Sequence, residues 1–327
     1  METQRLFDIA GSADFHSLAL ETFRYQYRHN AVYREFCSYL GKDDAGVRQL
    51  KDIPFLPIAF FKSKEVVCGH PEKSLLFTSS GTTGSTPSRH YVADPALYER
   101  SYLRAFELFY GPVSDYCILA LLPSYLERQG SSLVYMVNDL IKRSGRPESG
   151  FYLNDYNALR EQLLRLEARG RKVLLIGVSF ALLDFAEQYP MSLTNTLIME
   201  TGGMKGRRRE LVREELHALL CKGLGLGVGA IHSEYGMTEL LSQAYSRGGG
   251  MFRTPPWMQV LIRDPEDPLA YLPYGKTGGI NVVDLANVYS CSFIATQDLG
   301  KMHDDHRFEV LGRFDDSDIR GCNLMVL

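Results

Sequence analysis

The sequence lacks clustered cysteines, an excess of positive charge and any long apolar run. Its six cysteines include no C-x-x-C pair, which excludes a disulfide scaffold and a zinc knuckle. Lys and Arg number 36 against 39 Asp and Glu, so the net charge of −3 provides no positive field for nucleic acid or an anionic membrane. The longest apolar stretch, residues 173–183, is shorter than the ~20 residues that span a bilayer. These absences predict a small molecule or another protein as the partner.

The N-terminus lacks the pattern of a secretion signal. Acidic and polar residues stand where a signal peptide needs a basic start and an apolar run. Together with the sparse cysteines, this predicts a reducing cytoplasmic location. The 327 residues, 45% hydrophobic and 23% charged, are enough for one large α/β unit or about two domains of ~150 residues.

Short apolar runs alternate with longer amphipathic stretches, and this alternation predicts an α/β fold with a parallel-rich sheet and flanking helices. Strands are predicted at residues 75–78, 116–122, 172–178, 196–200 and 229–233, and helices at residues 15–40, 95–109, 132–143, 158–168 and 208–221. Short strands or turns are expected at residues 58–61 and 65–68. Beyond residue 245, glycines, adjacent prolines and a turn-rich stretch predict a smaller, more antiparallel β-rich subdomain.

A loop rich in hydroxyl side chains directly follows the first predicted strand. It contains Thr78, Ser79, Ser80, Gly81, Thr82, Thr83 and Gly84. Hydroxyl groups and backbone N–H groups can surround phosphate oxygens, and glycine permits their close approach. An ordinary surface loop has a similar composition, so on composition alone both interpretations stay open. A Walker A loop is excluded because no lysine follows the glycines, and Arg89 is the nearest following cation.

Residues 225–230 match the string G-x-G-x-x-[GA] of dinucleotide-binding proteins, but their context is reversed. The fingerprint must follow a strand and open a helix, whereas this run follows a predicted helix and leads into a strand. It is therefore predicted to be a loop that ends the helix.

Three further short motifs carry chemistry when they are taken together. The predicted strand at residues 229–233 leads into Tyr235, Gly236, Thr238 and Glu239. An aromatic ring, a glycine, a hydroxyl and a carboxylate suit base stacking, a tight turn, a phosphate contact and Mg²⁺ ligation. A capped strand-to-helix turn is an equally good account of this motif alone. Asp298 and the Gly312-Arg313-Phe314-Asp315 run follow downstream.

The order and spacing of these segments resemble those of the adenylate-forming enzymes, the superfamily of acyl- and aryl-CoA ligases, peptide-synthetase adenylation domains and firefly luciferase. The resemblance implies that residues 78–84 form a phosphate loop, that residues 235–239 are its YGxTE motif and that residues 312–315 are its GRxD hinge motif. Tyr235 would then stack on adenine, Thr238 would contact the α-phosphate and Glu239 would hold Mg²⁺. Asp298 and Arg313 would bind ribose, and the turn containing Gly202 and Gly203 would lie around the adenine.

One branch resembles nearly the whole chain, including residues 30–37, 122–128 and 320–324: the acyl-protein synthetases of bacterial bioluminescence. The resemblance implies ATP- and Mg²⁺-dependent activation of a carboxylic acid, in particular a fatty acid, to acyl-AMP. Acyl transfer to Cys322 and then to a reductase partner would follow. The chain ends six residues after Gly321, so the small C-terminal domain with the superfamily's catalytic lysine is expected to be absent. Ser88 replaces the lysine that usually follows the proline after the phosphate loop.

The implied organisation is a single adenylate-forming large domain. It consists of an N-terminal helical segment (1–70), an α/β nucleotide-binding core (71–245), a β-rich subdomain (246–310) and a hinge-like tail (311–327) that contains Cys322. A small buried hydrophobe is the alternative interpretation of Cys322. Two alternative functions remain: transfer of the acyl group to CoA or a carrier protein, and an inactive adenylate-fold subunit of a reductase complex. The apolar segments 116–122 and 173–185 suit either an acyl tunnel or buried strands and helices.

Overall fold

The computed structural model describes residues 2–69, 75–79, 86–123, 130–153, 155–202 and 211–314. The helices in these residues are α1 (Ser12–His29), α2 (Ala31–Tyr39), α3 (Phe60–Ser63), α4 (Pro95–Tyr110), α5 (Ser132–Ser144), α6 (Tyr156–Ala168), α7 (Ser179–Gln188) and α8 (Arg213–Leu224). The strands are β1 (Leu56–Pro57), β2 (Leu75–Thr78), β3 (Arg89–Val92), β4 (Cys117–Leu121), β5 (Gly150–Phe151), β6 (Val173–Gly177), β7 (Thr196–Glu200), β8 (Ile231–Tyr235), β9 (Ala244–Ser246), β10 (Phe252–Arg253), β11 (Met258–Arg263), β12 (Thr277–Asp284), β13 (Phe293–Met302) and β14 (Phe308–Arg313).

Most strands in the described residues belong to one large sheet. Its order is β11-β12-β13-β14-β10-β9-β8-β7-β6-β4-β5, and β1 pairs with β13. Strands β5, β4, β6, β7 and β8 run parallel to one another. The other neighbouring pairs along the sheet, β8–β9, β9–β10, β10–β14, β14–β13, β13–β12 and β12–β11, are antiparallel. Strands β2 and β3 form a separate antiparallel pair. The predicted α/β fold is confirmed, and the antiparallel region extends the sheet of the parallel region.

The two N-terminal helices replace the single helix predicted at residues 15–40, because Asn30 interrupts it. The Asn30 side chain accepts a hydrogen bond from the Tyr33 amide (3.0 Å) and so caps α2, as asparagine commonly does at a helix start. Its amide group also donates to the Ser290 carbonyl. The amide group of Gln26 on α1 donates to the Asn287 and Val288 carbonyls. Buried amides therefore attach both helices to the connection between β12 and β13.

Helix α7 was not predicted from the sequence. Its buried residues include Phe180, Leu182, Leu183 and Phe185, so apolar side chains surround the helix and leave no amphipathic period. The preceding strand β6 is fully buried, so the sequences of β6 and α7 form one apolar stretch with no pattern that separates the strand from the helix. Residues 58–61 were likewise expected as a short strand or turn, but Phe60 and Phe61 instead begin the short helix α3.

The helix-ending loop at residues 225–230 is confirmed. Gly225 ends α8 in the left-handed conformation with φ +65°, which glycine adopts without strain. Residues 228–230 form a single 3₁₀ turn, so β8 begins two residues later than predicted. Among the described helices, none has both the length and the apolar character needed to cross a membrane.

Candidate active site

A cavity of about 440 Å³ lies where the parallel strands end. Residues that follow four of these strands line it: Leu122 after β4, Val178 after β6, Thr201 after β7 and Gly236 after β8. The carboxyl edge of a parallel sheet is where α/β proteins commonly bind ligands. Residues of β13 and β14 close the other side, so the cavity lies at the junction between the parallel and antiparallel halves of the sheet.

The cavity collects predicted site residues that are far apart in the sequence. Those that line it are Thr78, Ser79, Gly202, Gly236, Thr238, Glu239, Asp298 and Arg313. The predicted residues Ser80, Gly81, Thr82, Thr83, Gly84, Gly203 and Cys322 lie outside the described residues. The structure therefore brings the described parts of four separate motifs to one place.

Hydroxyl groups from β2 and the start of β3 form one wall of the cavity. The Ser88 amide donates to the Ser79 hydroxyl oxygen (2.9 Å), and the Ser79 amide donates to the Ser88 carbonyl (3.1 Å). The exposed Lys62 side chain of α3 also lines the cavity, whereas Arg89 is paired with Thr78 between β2 and β3. Lys62 therefore contributes positive charge to the cavity, and Arg89, the nearest following cation in the sequence, is not among the described residues that line it.

Two buried side chains that no sequence motif predicted hold the backbone of the motif at residues 235–239. His90 Nδ1 donates to the Thr238 carbonyl (2.8 Å), and Asn287 Nδ2 donates to the Glu239 carbonyl (2.8 Å). Burial lowers the pKa of His90 to about 4, while its hydrogen bonds with Thr238 and Asn287 act in the opposite direction. These contacts fix the peptide carbonyls while the Thr238 and Glu239 residues line the cavity.

Glu239 provides a carboxylate at the cavity wall. Burial raises its pKa, while a hydrogen bond with Ser88 and the charges of Arg313 and Lys62 act in the opposite direction. Within the described residues, no group of three or more His, Cys, Asp or Glu side chains is arranged to hold a metal ion. A single carboxylate beside hydroxyl groups nevertheless fits Mg²⁺, which binds proteins through one or two carboxylates and takes its other ligands from phosphates and water.

Asp298 lies between a tyrosine and an arginine on the antiparallel side. It pairs with Arg313 across β13 and β14, and Arg313 Nε donates to Asp298 Oδ1 (3.2 Å). The Tyr235 hydroxyl donates to Asp298 Oδ2 (2.8 Å), while its buried ring packs edge-on against Phe252 and Phe308. The described contacts of Tyr235 therefore orient Asp298, and adenine stacking by Tyr235 stays a prediction.

A buried carboxylate shapes the turn after β7. Glu200 accepts hydrogen bonds from the Gly202 amide (2.8 Å) and the Ser179 hydroxyl (3.1 Å), and it lies 3.5 Å from Arg213 Nε. Burial alone would raise its pKa, but hydrogen bonds with His217 and neighbouring groups and the Arg213 charge lower that pKa to about 2. Gly202 has φ +72°, a conformation that favours glycine. The Glu200 carboxylate therefore fixes the Thr201–Gly202 turn at the cavity edge.

Apolar side chains form another part of the cavity wall. They are Ile58, Leu122, Pro123, Leu133, Val134, Met136 and Val178. Strands β4 and β6 themselves are buried in the core on both faces. The two apolar segments that suggested either an acyl tunnel or the core therefore serve mainly as core, with Leu122 and Val178 reaching the cavity.

The chain matches one protein family over most of its length. The family profile described as acyl-protein synthetase, LuxE, matches residues 11–106 and 151–327. The chain is 25% identical over 324 residues to the long-chain-fatty-acid–luciferin-component ligase of Vibrio harveyi, covering 92% of this chain and 84% of that relative.

Solved structures of adenylate-forming enzymes share the fold. A 2-hydroxyisobutyryl-CoA ligase bound to 2-HIB-AMP and CoA matches 93% of this chain and 70% of its own length, with a TM-score of 0.64 and 14% identity. ATP-bound MatB from Rhodopseudomonas palustris matches 86% of this chain, with a TM-score of 0.53 and 18% identity. This chain spans 56% of that MatB structure and 49% of an ATP-bound MatB chimera. On the family match, the chain belongs to the acyl-protein synthetase family.

Proposed function

We propose that this chain uses ATP to activate a carboxylic acid as an acyl-AMP. The observation that carries the proposal is the convergence of four separate sequence motifs on one cavity at the carboxyl edge of the parallel strands. The Vibrio harveyi relative is named as a ligase of long-chain fatty acids, so a fatty acid is the first substrate class to test.

The proposed nucleotide site uses both halves of the sheet. Thr78, Ser79 and the loop at residues 80–84 bind the phosphates together with Lys62. Gly202 and Gly203 lie around the adenine, Gly236 allows the backbone to turn beside it, and Asp298 accepts hydrogen bonds from the ribose hydroxyls with Arg313 beside it. The described members of this set line the same cavity, which supports their joint action on one nucleotide.

The proposed chemistry requires negative charge to be stabilised at the α-phosphate. The substrate carboxylate oxygen attacks the α-phosphorus, the bond to the β-phosphate oxygen breaks, and pyrophosphate leaves. The Thr238 hydroxyl and the Lys62 ammonium group stabilise the charge that develops on the phosphate oxygens. Glu239 is the proposed Mg²⁺ ligand, and a bound Mg²⁺ would supply further stabilisation of that charge.

The acyl acceptor in this proposal is Cys322. Burial raises the pKa of each described cysteine, namely Cys37, Cys68, Cys117, Cys221 and Cys291, and a thiol with a raised pKa forms little of the nucleophilic thiolate. We propose that the Cys322 thiolate attacks the acyl carbonyl, so that the carbon–oxygen bond to AMP breaks and a thioester forms. A reductase partner in the same reducing, cytoplasmic compartment would then take the acyl group.

Substitution of Cys322 separates activation from transfer. Cys322→Ser is expected to keep acid-dependent ATP–pyrophosphate exchange, because the adenylation site is intact, and to lose covalent labelling by a radioactive acid. Cys221→Ser, which changes a partly buried cysteine on α8, is the matched control and is expected to keep both signals. Undiminished labelling of Cys322→Ser would exclude the proposed acceptor. Formation of acyl-CoA by wild type, detected by mass spectrometry, would instead support CoA as the acceptor.

A further inference from the structure

Two polar side chains, Glu234 and Gln243, meet at the cavity beside the end of β8. The antiparallel register of β8 and β9 pairs Tyr235 with Ala244, which places Gly236 opposite Gln243. A Cβ atom on Gly236 would collide with the Glu234 carboxyl oxygen and would lie 3.4 Å from Gln243 Cγ. The Glu234 carboxyl group therefore occupies the space that the missing side chain leaves, next to Gln243, and both residues line the cavity.

Both groups have unused hydrogen-bonding capacity. Among the described residues, the Glu234 carboxyl group has no hydrogen-bond partner and no salt-bridge cation. Burial, together with repulsion from Glu200, raises the pKa of Glu234 to about 8. Gln243 is 4% exposed, and its side-chain oxygen has no hydrogen-bond partner. Buried polar groups are nearly always paired, so the unsatisfied oxygen of Gln243, beside the partly buried Glu234 carboxyl group, points to a ligand that satisfies it.

The surroundings place this pair on the acyl side of the cavity. Glu234 interacts electrostatically with Tyr98 of α4, and the Tyr98 hydroxyl donates to the Ser132 carbonyl at the start of α5. The same helix contributes Leu133 and Met136 to the apolar part of the wall. The proposed ribose ligands Asp298 and Arg313 lie on β13 and β14, which close the other side of the cavity.

We propose that Glu234 and Gln243 bind a hydrogen-bond-donating substituent on the acyl chain. The acid that this chain activates is then a fatty or other carboxylic acid that carries a hydroxyl or amino group on its chain, and it is bound more tightly than the unsubstituted acid of equal length. Both side chains present oxygen atoms, which accept hydrogen bonds from O–H or N–H groups. A bare alkyl chain in their place would leave both groups without partners, and sites of this kind discriminate strongly against analogues that lack the polar group. This inference rests on the proposed adenylation function.

The test compares acids of equal length in the ATP–pyrophosphate exchange assay. The set contains the alkanoic acid and its hydroxyl and amino derivatives substituted at successive carbon atoms. Wild type is expected to show a KM at least about tenfold lower for one substituted acid than for the alkanoic acid. The double variant Glu234→Leu/Gln243→Met, which is apolar and similar in volume, is expected to lose this preference.

Two single variants complete the experiment. Glu234→Gln is expected to keep a preference for a hydroxyl group but, in assays above pH 8, to lose a preference for an ammonium group, because the Glu234 carboxylate charge is present only above its raised pKa of about 8. Glu161→Gln, on the exposed surface of α6, is the matched control and is expected to leave every KM unchanged. Circular dichroism and the melting temperature of each variant show that it has folded.

Three outcomes count against the inference. They are a wild type that favours the unsubstituted acid, a double variant that keeps the wild-type preference, and substitutions that raise the KM for ATP equally with every acid. The last result would assign the pair to the nucleotide. Complete absence of exchange with any acid in folded wild type would instead contradict the proposed adenylation function.

Discussion

The parallel and antiparallel halves of the sheet contribute to the cavity in different ways. In the parallel half, the turn after β7 presents backbone groups, and the buried Glu200 holds that turn from behind. In the antiparallel half, Asp298 and Arg313 face each other across neighbouring strands, and the Arg313 side chain is 78% exposed. The parallel half therefore depends on internal hydrogen bonds, whereas the antiparallel half presents side chains directly to a ligand. Substitutions should weaken folding in the first half and nucleotide binding in the second.

The largest expected effect is the loss of folding stability in Glu200→Gln. Its folded-state pKa of about 2 lies below the usual value of 4.5, so its stabilisation is present above pH 4.5 and is lost as the pH falls towards 2. A pKa shift of this size corresponds to a contribution of about 3 kcal/mol to the free energy of unfolding at neutral pH.

Urea unfolding of wild type, Glu200→Gln and the exposed control Glu161→Gln at pH 7 and pH 3 tests this expectation. The difference between wild type and Glu200→Gln should roughly halve at pH 3. A constant difference would show that the charge of Glu200 does not hold the turn.

A smaller effect, on binding, is expected from Asp298→Asn in the antiparallel half. The substitution removes the charge that accepts hydrogen bonds from Tyr235 and Arg313 and, as proposed, from the ribose. Hydrogen bonds to charged groups contribute about 1.5–3 kcal/mol, so the KM for ATP should rise by roughly ten- to a hundredfold. Exchange kinetics measure the KM, and thermal unfolding should show a smaller destabilisation than in Glu200→Gln. A large loss of stability with an unchanged KM would remove the distinction between the two halves.

The smallest effect is expected from Tyr235→Phe, which keeps the ring between Phe252 and Phe308 and removes only the hydrogen bond to Asp298. A bond to a charged group contributes about 1.5–3 kcal/mol, but Asp298 keeps its charge and its own contacts with the ribose, so the KM for ATP should rise by only about two- to tenfold. Because Tyr235 acts through Asp298, the double variant Tyr235→Phe/Asp298→Asn should match Asp298→Asn alone. Additive effects would instead favour a separate contact of Tyr235 with the nucleotide, such as the predicted stacking.

The sequence predicted those parts of the site that lie in contiguous motifs. Thr78 and Ser79 follow a strand, and Thr238 and Glu239 follow another, so local patterns identified them. Lys62, His90 and Asn287 were missed because they reach the cavity or its supporting backbone from distant segments. Their positions depend on the packing of α3, β3 and the β12–β13 connection, which no local pattern encodes.

The secondary-structure elements that local patterns predicted and those that depend on long-range contacts differ in the same way. The buried strands β4, β6 and β7 were predicted because each is a short apolar run between turns. Helix α7 was missed because it is buried on several sides, and the break between α1 and α2 depends on the cap and long-range contacts of Asn30. Local pattern thus identified the elements, whereas tertiary burial decided where some of them begin and end.

Acid-dependent ATP–pyrophosphate exchange by the whole chain is the most direct test of the central claim that the junction of the two halves is an adenylation site. The account predicts exchange in wild type that requires both a carboxylic acid and Mg²⁺, with a reduced rate in Glu239→Gln at equal stability. Folded wild-type protein that shows no exchange with any hydroxy, amino or alkanoic acid would contradict it.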